Sequence, residues 1–305
     1  MDNKSIGITI GITAFNEGSL LSDAWKSVLN QTCDKWEAVM VLDGGGSWKT
    51  KKYYSNIHHL RLKKYYYSEN QGAYKCRTKA IELSNTNWYF HLDADDLLPQ
   101  NAVELVIDYI LRNPEAEYIA GAYKNFALGP DQIVYPQSDV EILTKCPLFI
   151  ATSPITKTLF KKIGGYYIPN NFMHSDWDFW LSVYEENIKG YITDEVIYKR
   201  RRRNNSLTWK NLHNLQKGLE MIINRHPIYF NIEKRRSVAK YDLYVKLAGH
   251  YKSIGKRKLA LINAEMALNY GHKPPVFDIV LAENRMNYAR YLLRRIGRHI
   301  SCHKN

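Results

Sequence analysis

The sequence has few of the features that mark metal–thiolate sites or membrane spans. Its four cysteines, Cys33, Cys76, Cys146 and Cys302, lie far apart and form no Cys-x-x-Cys pair. Free thiols in a reducing compartment are therefore expected, rather than a zinc site or a disulfide framework. No window approaches the ~20 apolar residues of a membrane span, and the N-terminus lacks the pattern of a signal peptide. We expect a cytoplasmic protein that also associates peripherally with the inner face of a membrane.

Negative charge is also scarce. The chain of 305 residues has 43 Lys and Arg against 30 Asp and Glu, a net charge of +13. This balance suits a polyanionic ligand, a nucleic acid or an anionic membrane face, and does not choose among them. After Glu283 basic residues alternate with Leu and Ile and no acidic residue follows. That segment predicts a basic amphipathic helix, which either packs with a solvated face or contacts a membrane.

The first two thirds of the chain alternate short apolar runs with helical patterns. Strands are predicted at 7–15, 36–42, 60–67, 87–93 and 117–123 and helices at 20–29 and 100–112, while 69–83 predicts a Gly-containing turn that leads into a helix. Strands separated by helices predict βαβ units and an α/β fold with a mostly parallel sheet. Ligands of such sheets bind beyond the carboxyl ends of the strands.

The pattern changes near residue 210. Helical periodicity then dominates, at 236–252, 256–270 and 275–300, with glycines at 255 and 271 as breaks. We therefore predict an α/β domain over residues 1–210 and a helical C-terminal region over residues 211–305.

Three carboxylates stand within four positions at the end of the fourth predicted strand. Asp93, Asp95 and Asp96 follow the apolar run NWYFHL. Like charges about 4 Å apart near a protein surface repel by roughly 4 kcal/mol, so a cluster of this kind calls for a cation. Mn²⁺ or Mg²⁺ suits it, because these ions bridge one or two carboxylates to substrate phosphates. The alternative is that Asp93 or Asp96 caps the next helix.

Five segments of the sequence have a shared resemblance. In chain order they are ITIGITAFNEGSLLSDAWKSVLNQT, VMVLDGG, ENQGAYKCRTKAI, FHLDADDLLP, and LFKKIGGYY followed by HSDWDFWLSV. Together they resemble the family 2 glycosyltransferases, over about residues 6–208. The resemblance implies a GT-A type, Rossmann-like sheet flanked by helices. It also implies an inverting, metal-dependent transfer of a sugar from a nucleotide-sugar, for which we expect a UDP-sugar.

The resemblance implies a donor site at the matching positions. Asp43 would accept the N3–H of uracil, although an Asp-Gly turn is the alternative. Arg77 would bind the diphosphate, for which a guanidinium is suited, unless it is only a solvated helix residue. Asp95 is implied as the metal ligand, with Asp93 bridging to the ribose or the metal. The other implied nucleotide-sugar contacts are Thr13, Ala14, Phe15, Glu17, Asn70, Gly72 and Ala94.

Asp176 matches the family's general base. This carboxylate would take the proton of the acceptor hydroxyl as its oxygen attacks the anomeric carbon, while the metal stabilises the leaving diphosphate. Ser175, where the family usually has Glu, and Trp177 are implied on the acceptor side, with core packing as the alternative for Trp177. We expect Trp180 in the core and Asp178 as a residue that orients the loop.

The basic run 199–203 follows the predicted strand GYITDEVIY. Arg202 and Arg203 are implied to bind the acceptor or the diphosphate. The family often has His at the position of Arg203, so here the metal would rest on Asp95, the diphosphate and water. Such a run can also attract an anionic membrane or a nucleic acid, but no element that reads nucleic acid is present and we expect none to bind. The expected acceptor is a saccharide or a lipid-linked saccharide of a surface polysaccharide or glycolipid.

Three alternatives remain open. The missing Glu and His leave room for a catalytically inactive relative that binds carbohydrate or nucleotide. A basic nucleic-acid-binding protein would show salt-sensitive affinity for oligonucleotides and no response to Mn²⁺. A sugar-phosphate nucleotidyltransferase shares the architecture, but its Gly-rich signature with Arg and Lys does not match ITAFNEGS.

Overall fold

A computed structural model describes residues 7–169, 174–203 and 215–271. The chain divides into two compact units, residues 1–210 and 211–305, which are described one at a time. No helix in these described ranges is long and apolar enough to cross a membrane. The basic helix predicted at 275–300 lies outside the described residues.

The first unit is built on a five-stranded sheet. Its strands are β1 Ile8–Ala14, β2 Trp36–Leu42, β3 Leu62–Tyr66, β4 Trp88–Asp93 and β7 Ile155–Thr156. They lie in the order β3–β2–β1–β4–β7, with β1 to β4 parallel and the short β7 antiparallel to β4. The predicted α/β fold with a mostly parallel sheet is confirmed.

The helices of this unit surround the sheet. They are α1 Leu20–Leu29, α2 Trp48–Asn56, α3 Ala73–Leu83, α4 Ala102–Arg112, α5 Lys157–Lys162 and α6 Ser175–Glu185. Most of the predicted apolar stripe of α1 is buried, with Leu21, Ala24, Trp25 and Val28 in the main core. Helix α2 has no such stripe and buries only Thr50. Ser47 caps its N-terminus, because the Ser47 side chain accepts a hydrogen bond from the Thr50 N–H. Sequence periodicity therefore predicts α1 and misses α2.

A second, three-stranded sheet lies in the same unit. Strands β5 Ile119–Phe126, β6 Gln132–Val134 and β8 Tyr191–Arg201 pair in the order β6–β5–β8. The fifth predicted strand therefore exists but does not extend the central sheet, because β7 pairs with β4 at that edge. Leu97 and Lys199 exchange two backbone hydrogen bonds of 2.9 and 3.0 Å, which join β8 to the turn after β4.

The second unit is helical over its described residues. Helices α7 Leu215–Arg225, α8 Pro227–Phe230, α9 Glu233–Ser253 and α10 Arg257–Leu268 follow one another. Alanines on α9 and α10, including Ala248, Ala260 and Ala264, are buried and allow these two helices to pack closely. Gly255 adopts a φ of +74° in the turn between them, as the predicted break at this glycine requires.

Candidate active site at the carboxyl edge of the sheet

The carboxyl ends of β1, β2 and β4 meet at one edge of the central sheet. Ala14 lies opposite Leu42 on β2, and Thr13 lies opposite Asp93 on β4. Backbone hydrogen bonds continue past the strand ends, from the Asp43 N–H to Ala14 O at 2.8 Å and from the Ala94 N–H to Thr13 O at 3.2 Å. The loops that carry the predicted donor residues are therefore neighbours.

Two glycines allow these loops to approach one another closely. A Cβ atom at Gly44 would lie 2.3 Å from the backbone of Glu69, and one at Gly46 would lie 2.1 Å from the carbonyl oxygen of Phe15. The side chain of Asn16 adds a hydrogen bond of 2.7 Å from the Ser47 N–H. The Gly-rich run therefore packs between the loop after β1 and the loop before α3.

Asp43 is buried and accepts hydrogen bonds from the backbone of two loops. Its Oδ1 accepts from the Gly44 and Gln71 N–H groups at 3.0 and 2.7 Å, and its Oδ2 accepts from the Gly72 N–H at 2.9 Å. Burial and this carboxylate raise the pKa of the Cys76 thiol to about 12. Asp43 thus anchors the loop that carries exposed Asn70 and begins α3 at Gly72.

Asp93 ends a chain of hydrogen bonds on one side of β4. Tyr89 Oη lies 3.0 Å from His91 Nδ1, and His91 Nε2 lies 2.8 Å from Asp93 Oδ1. Burial, and then the charge of Arg77, lowers the pKa of His91 to about 4, so the ring is neutral at pH 7 and donates from Nε2 to the carboxylate. Although burial favours the neutral acid, Arg77 and His91 hold the pKa of Asp93 well below its usual range.

Arg77 is a buried cation with unused donors. Its Nη2 contacts both oxygens of Asp93, at 2.9 and 3.0 Å, so the alternative of a solvated helix residue is wrong. Within the described part of the chain, its Nε and Nη1 have no partner in hydrogen-bond geometry. The half-buried rings of Tyr74 and Tyr166 lie beside it, with a Tyr74 centroid 5.1 Å from the guanidinium carbon. A buried guanidinium with free N–H groups is suited to an anionic ligand.

Asp95 and Glu17 share one cation. Arg203 forms an ion pair with the Asp95 carboxylate, whose side chain is 17% exposed. Burial and the charge of Asp93 raise the pKa of Asp95, and Arg203 opposes them. Burial also raises the pKa of Glu17, which accepts a 2.5 Å hydrogen bond from the Phe15 N–H; here too Asp95 adds to the rise and Arg203 opposes it.

Asp96 belongs to the scaffold of the site. Its Oδ2 accepts a hydrogen bond from Tyr198 Oη at 2.8 Å, and its Oδ1 accepts from the Arg201 N–H at 2.6 Å. Burial, with Asp93 and Asp95, raises its pKa to about 7. Helix α4 begins instead at Asn101, so the alternative that Asp93 or Asp96 caps this helix is wrong.

Asp176 lies in the first turn of α6. Its Oδ1 accepts a hydrogen bond of 2.9 Å from the Trp177 N–H. Burial raises the pKa values of Tyr74 and Tyr166, and the charges of both Asp176 and Asp93 raise them further. Asp176 and Asp93, which the sequence separates widely, therefore lie within electrostatic range of the same pair of tyrosines.

The other residues predicted to contact the acceptor have side chains that contact other parts of the protein. Ser175 is fully buried and donates to Tyr167 O at 2.8 Å, and buried Trp177 donates from Nε1 to Leu143 O at 2.7 Å. Both side chains support the start of α6 from inside, so they are poor candidates for acceptor contacts. Trp180 is in the core, as expected, and the Arg202 guanidinium contacts the side chain of Gln132.

The residues present fit a divalent metal that takes part of its coordination from ligands outside the protein. Among the described residues, no cluster of three or more His, Cys, Asp or Glu is placed to hold a metal. Mg²⁺ and Mn²⁺ need only one or two carboxylates when diphosphate and water complete the shell. Asp93 and Asp95 supply that pair, with side chains 33% and 17% exposed.

Three contributors escape the sequence reasoning. His91 and Tyr89 share the side of β4 that carries Asp93, and alternation with period two could have indicated them. Arg201 donates from Nε to Asp95 O at 2.8 Å, besides its backbone contact with Asp96. Only the pairing of β8 with the acidic turn reveals that role.

Comparison with known proteins identifies the family. A family model described as glycosyl transferase family 2 matches residues 9–170. An uncharacterized glycosyltransferase of Rickettsia bellii is 25% identical over 70% of this chain, which spans only 31% of that protein. The putative teichuronic acid biosynthesis glycosyltransferase TuaG of Bacillus subtilis is 24% identical, over 69% of this chain and 86% of its own length.

Solved structures share the fold at low identity. Staphylococcus aureus TarS 1-349, in complex with UDP-GlcNAc, has a TM-score of 0.58 at 13% identity, over 92% of both chains. The mannosyltransferase PcManGT from Pyrobaculum calidifontis, in complex with GDP-Man and Mn²⁺, has a TM-score of 0.54 at 15% identity, over 97% of this chain and 81% of its own. These likenesses show a GT-A type fold. The family model covers more than half of the chain, and the chain therefore belongs to glycosyl transferase family 2.

Proposed function

We propose that this chain is an inverting glycosyltransferase that moves a sugar from a UDP-sugar to a saccharide or lipid-linked saccharide acceptor. One observation carries the proposal. Asp93, at the donor end of β4, and Asp176, at the start of α6, both act electrostatically on Tyr74 and Tyr166. Ring contacts of 5.0 Å between Tyr74 and Tyr166 and of 5.2 Å between Tyr166 and Phe179 link α3 to α6, which supports one site between the two carboxylates.

The donor would lie along the carboxyl edge of the central sheet. The nucleobase would contact Thr13, Ala14 and Phe15, and the Phe15 side chain would pack on the nucleobase ring. A uracil N3–H would share Oδ2 of Asp43 with the Gly72 N–H. Asn70 and Gly72 would follow the ribose, with Ala94 beside the sugar. TarS binds UDP-GlcNAc whereas PcManGT binds GDP-Man, so the fold alone does not select the base.

The diphosphate would meet the cations of the site. Arg77 has two buried N–H-bearing nitrogens without partners among the described residues, which a phosphate oxygen would satisfy. Mn²⁺ or Mg²⁺ would be held by Asp95 and Asp93, and would supply charge stabilisation to the leaving diphosphate. The Mn²⁺ bound by PcManGT supports this assignment. Glu17 and Arg203 lie beside Asp95 and would complete the charge balance.

Asp176 would act as the general base. It lies in the first turn of α6, and its side chain accepts a hydrogen bond from the Trp177 N–H. The carboxylate would take the proton from the acceptor hydroxyl as the oxygen forms its bond to the anomeric carbon. The bond to the diphosphate breaks on the opposite face, and the configuration of the sugar inverts.

The acceptor side is supported by charge and by one relative. TuaG is named for teichuronic acid biosynthesis, which supports a surface polysaccharide or glycolipid as the product. The net charge of +13 is suited to a lipid-linked acceptor at an anionic membrane face, where a cytoplasmic protein would bind peripherally. Arg202, at the end of β8, would contact the acceptor or the diphosphate.

A donor screen tests the proposal. Proton NMR would follow UDP-sugars with purified protein, Mn²⁺ and simple saccharide acceptors. Product of inverted anomeric configuration is expected from one donor, and none from Asp176→Asn. A product of retained configuration would contradict the displacement by a base-activated acceptor. UDP binding without turnover of any donor would favour the inactive relative.

A further inference from the structure

The guanidinium of Arg203 lies against the carboxylate that we assign to the metal. Arg203 Nη2 pairs with Oδ2 of Asp95, whose side chain is 17% exposed, while that of Arg203 is 46% exposed. The backbone hydrogen bonds between Leu97 and Lys199 lay the end of β8 along the acidic turn. The backbone hydrogen bonds thus bring Arg203 and Asp95 together, while the guanidinium of Arg203 remains partly exposed to solvent.

Arg203 differs from its basic neighbours in what it contacts. Arg201 donates from Nε to the backbone oxygen of Asp95, at 2.8 Å. The guanidinium of Arg202 contacts the side chain of Gln132. In the contacts described for the end of β8, the carboxylate of Asp95 is therefore paired with Arg203 and not with these neighbours.

Arg203 is the main cation acting on Asp95, and Arg201 attracts the same carboxylate more weakly. Asp93 is paired with Arg77 and His91. Asp95 and Glu17 repel each other, and Arg203 attracts both. The guanidinium of Arg203 is therefore the main cation beside Asp95 and Glu17.

We propose that Arg203 is an exchangeable counter-ion, which holds Asp95 in the donor-free enzyme and gives this carboxylate up to the divalent metal when the nucleotide-sugar binds. The inference rests on the proposed function, specifically on a metal at Asp95. A metal on Asp95 would compete with Arg203 for the carboxylate and repel the guanidinium, so metal binding would open this ion pair. The metal and the diphosphate bring charges that nearly cancel, and the diphosphate offers the displaced Arg203 a new anionic partner.

The exchange makes metal and nucleotide binding depend on each other. Metal alone must break the Arg203–Asp95 pair, and no anion is then present to receive the guanidinium. Metal with nucleotide does not have this cost, so the two ligands bind with positive coupling. Coupling of this kind is reciprocal and typically amounts to about 5–150-fold in affinity.

Titration of Mn²⁺ alone into nucleotide-free protein tests the exchange. We expect Arg203→Gln to bind Mn²⁺ about tenfold more tightly than the wild type, because its competitor is gone. Arg200→Gln is the matched control, since it removes the same charge from an exposed position on β8. Its Mn²⁺ affinity should stay within about twofold of the wild type. Equal affinities of Arg203→Gln and wild type, or no Mn²⁺ binding by Arg203→Gln, would overturn the inference.

A second titration separates this inference from the proposed function. UDP is titrated with and without Mn²⁺ into the same proteins and into Asp95→Ala. The metal should strengthen UDP binding in the wild type and much less in Arg203→Gln, although this variant binds metal well. If the metal enhances UDP binding equally in both but not in Asp95→Ala, the donor site stands and the exchange is wrong. If the wild type binds no UDP with Mn²⁺, the proposed function itself is wrong.

Discussion

Arg77 and Asp93 form a partly buried ion pair in which one nitrogen of the guanidinium contacts both carboxylate oxygens. Nη2 lies 2.9 and 3.0 Å from these oxygens, and Nε and Nη1 remain free of partners among the described residues. The pair fixes the end of β4 against α3 and keeps Asp93 ionised. It also leaves two buried donors without partners among the described residues, which an anionic ligand could satisfy.

Removal of Arg77 should therefore affect both stability and binding. Arg77→Met leaves Asp93 without its main partner, and loss of one member of a buried pair typically costs about 3–5 kcal/mol. Urea unfolding should show this loss, and calorimetry should show weakened UDP binding even at temperatures where the variant is folded. Lys75→Met on the exposed face of α3 is the control. A stable Arg77→Met that binds UDP normally would contradict both roles.

Asp95 should control the metal dependence of nucleotide binding. Asp95→Ala removes one of the two carboxylates that we assign to the metal, and the other, Asp93, is also engaged by Arg77 and His91. UDP binding in this variant should no longer respond to Mn²⁺ in calorimetric titrations. Asp108→Ala, which removes a surface ion pair of α4, should respond as the wild type does. An unchanged response in Asp95→Ala would place the metal elsewhere.

Asp176 should be needed for transfer but not for donor binding. Asp176→Asn keeps the size of the side chain and an oxygen for the Trp177 N–H, but it cannot take a proton. Turnover should fall by at least about 10²-fold, with UDP affinity within about twofold of the wild type. Glu186→Gln, at the exposed end of α6, is the matched control. Full turnover by Asp176→Asn would rule out its assignment as the base.

Asp43 should affect both the stability of the loop before α3 and the selectivity for the nucleobase. Asp43→Ala removes three backbone hydrogen bonds to a buried carboxylate, and the unfolding free energy should fall by about 1–3 kcal/mol. Titrations with UDP and GDP should also show weaker discrimination between the two. Asp43→Asn retains one acceptor oxygen and should lose less stability. A loss of stability with unchanged selectivity would leave Asp43 a structural role alone.

Glu37 provides a pH-dependent contribution far from the metal site. Burial raises its pKa, but hydrogen bonds from Thr9 and from the backbone and side chain of Asn85 outweigh burial and lower it below 4.5. A lowered pKa means that the stabilisation is complete above the unfolded pKa and fades as the pH falls towards the folded one. Glu37→Gln should lose about 1–2 kcal/mol at pH 7. Urea unfolding should show this difference shrinking below pH 4.5; a constant difference would contradict it.

The parts of the fold with a clear sequence pattern were predictable. Strand β1 repeats isoleucine with period two, and α1 buries most of its apolar stripe. Helix α2 was not predictable in this way, because its exposed Lys and Tyr side chains show no stripe and its start depends on Ser47. Strand β5 was predicted correctly, but its sheet depends on pairing with β8, which no local pattern encodes.

Some residues of the candidate site were likewise predictable from the sequence, and others were not. Asp93 and Asp95 stand out because three acids follow an apolar strand. The contact of Arg203 with Asp95 joins residues far apart in the chain, so only the folded backbone brings them together. For Trp177 the sequence suggested a contact that the structure does not favour. Its position beside Asp176 indicated an acceptor contact, but its side chain is buried and donates a hydrogen bond to Leu143 O, which shows a packing role.

The central claim is that the carboxyl edge of the sheet binds a nucleotide-sugar through a metal. Calorimetric titration of the wild type with UDP, GDP and CDP, each with and without Mn²⁺, tests it most directly. We predict that UDP binds tightly with Mn²⁺ and weakly without it, and that GDP and CDP bind weakly in both cases. Tight binding of GDP or CDP instead would contradict the assignment of uracil as the nucleobase. If no nucleotide binds in the presence of metal, the edge is not a donor site.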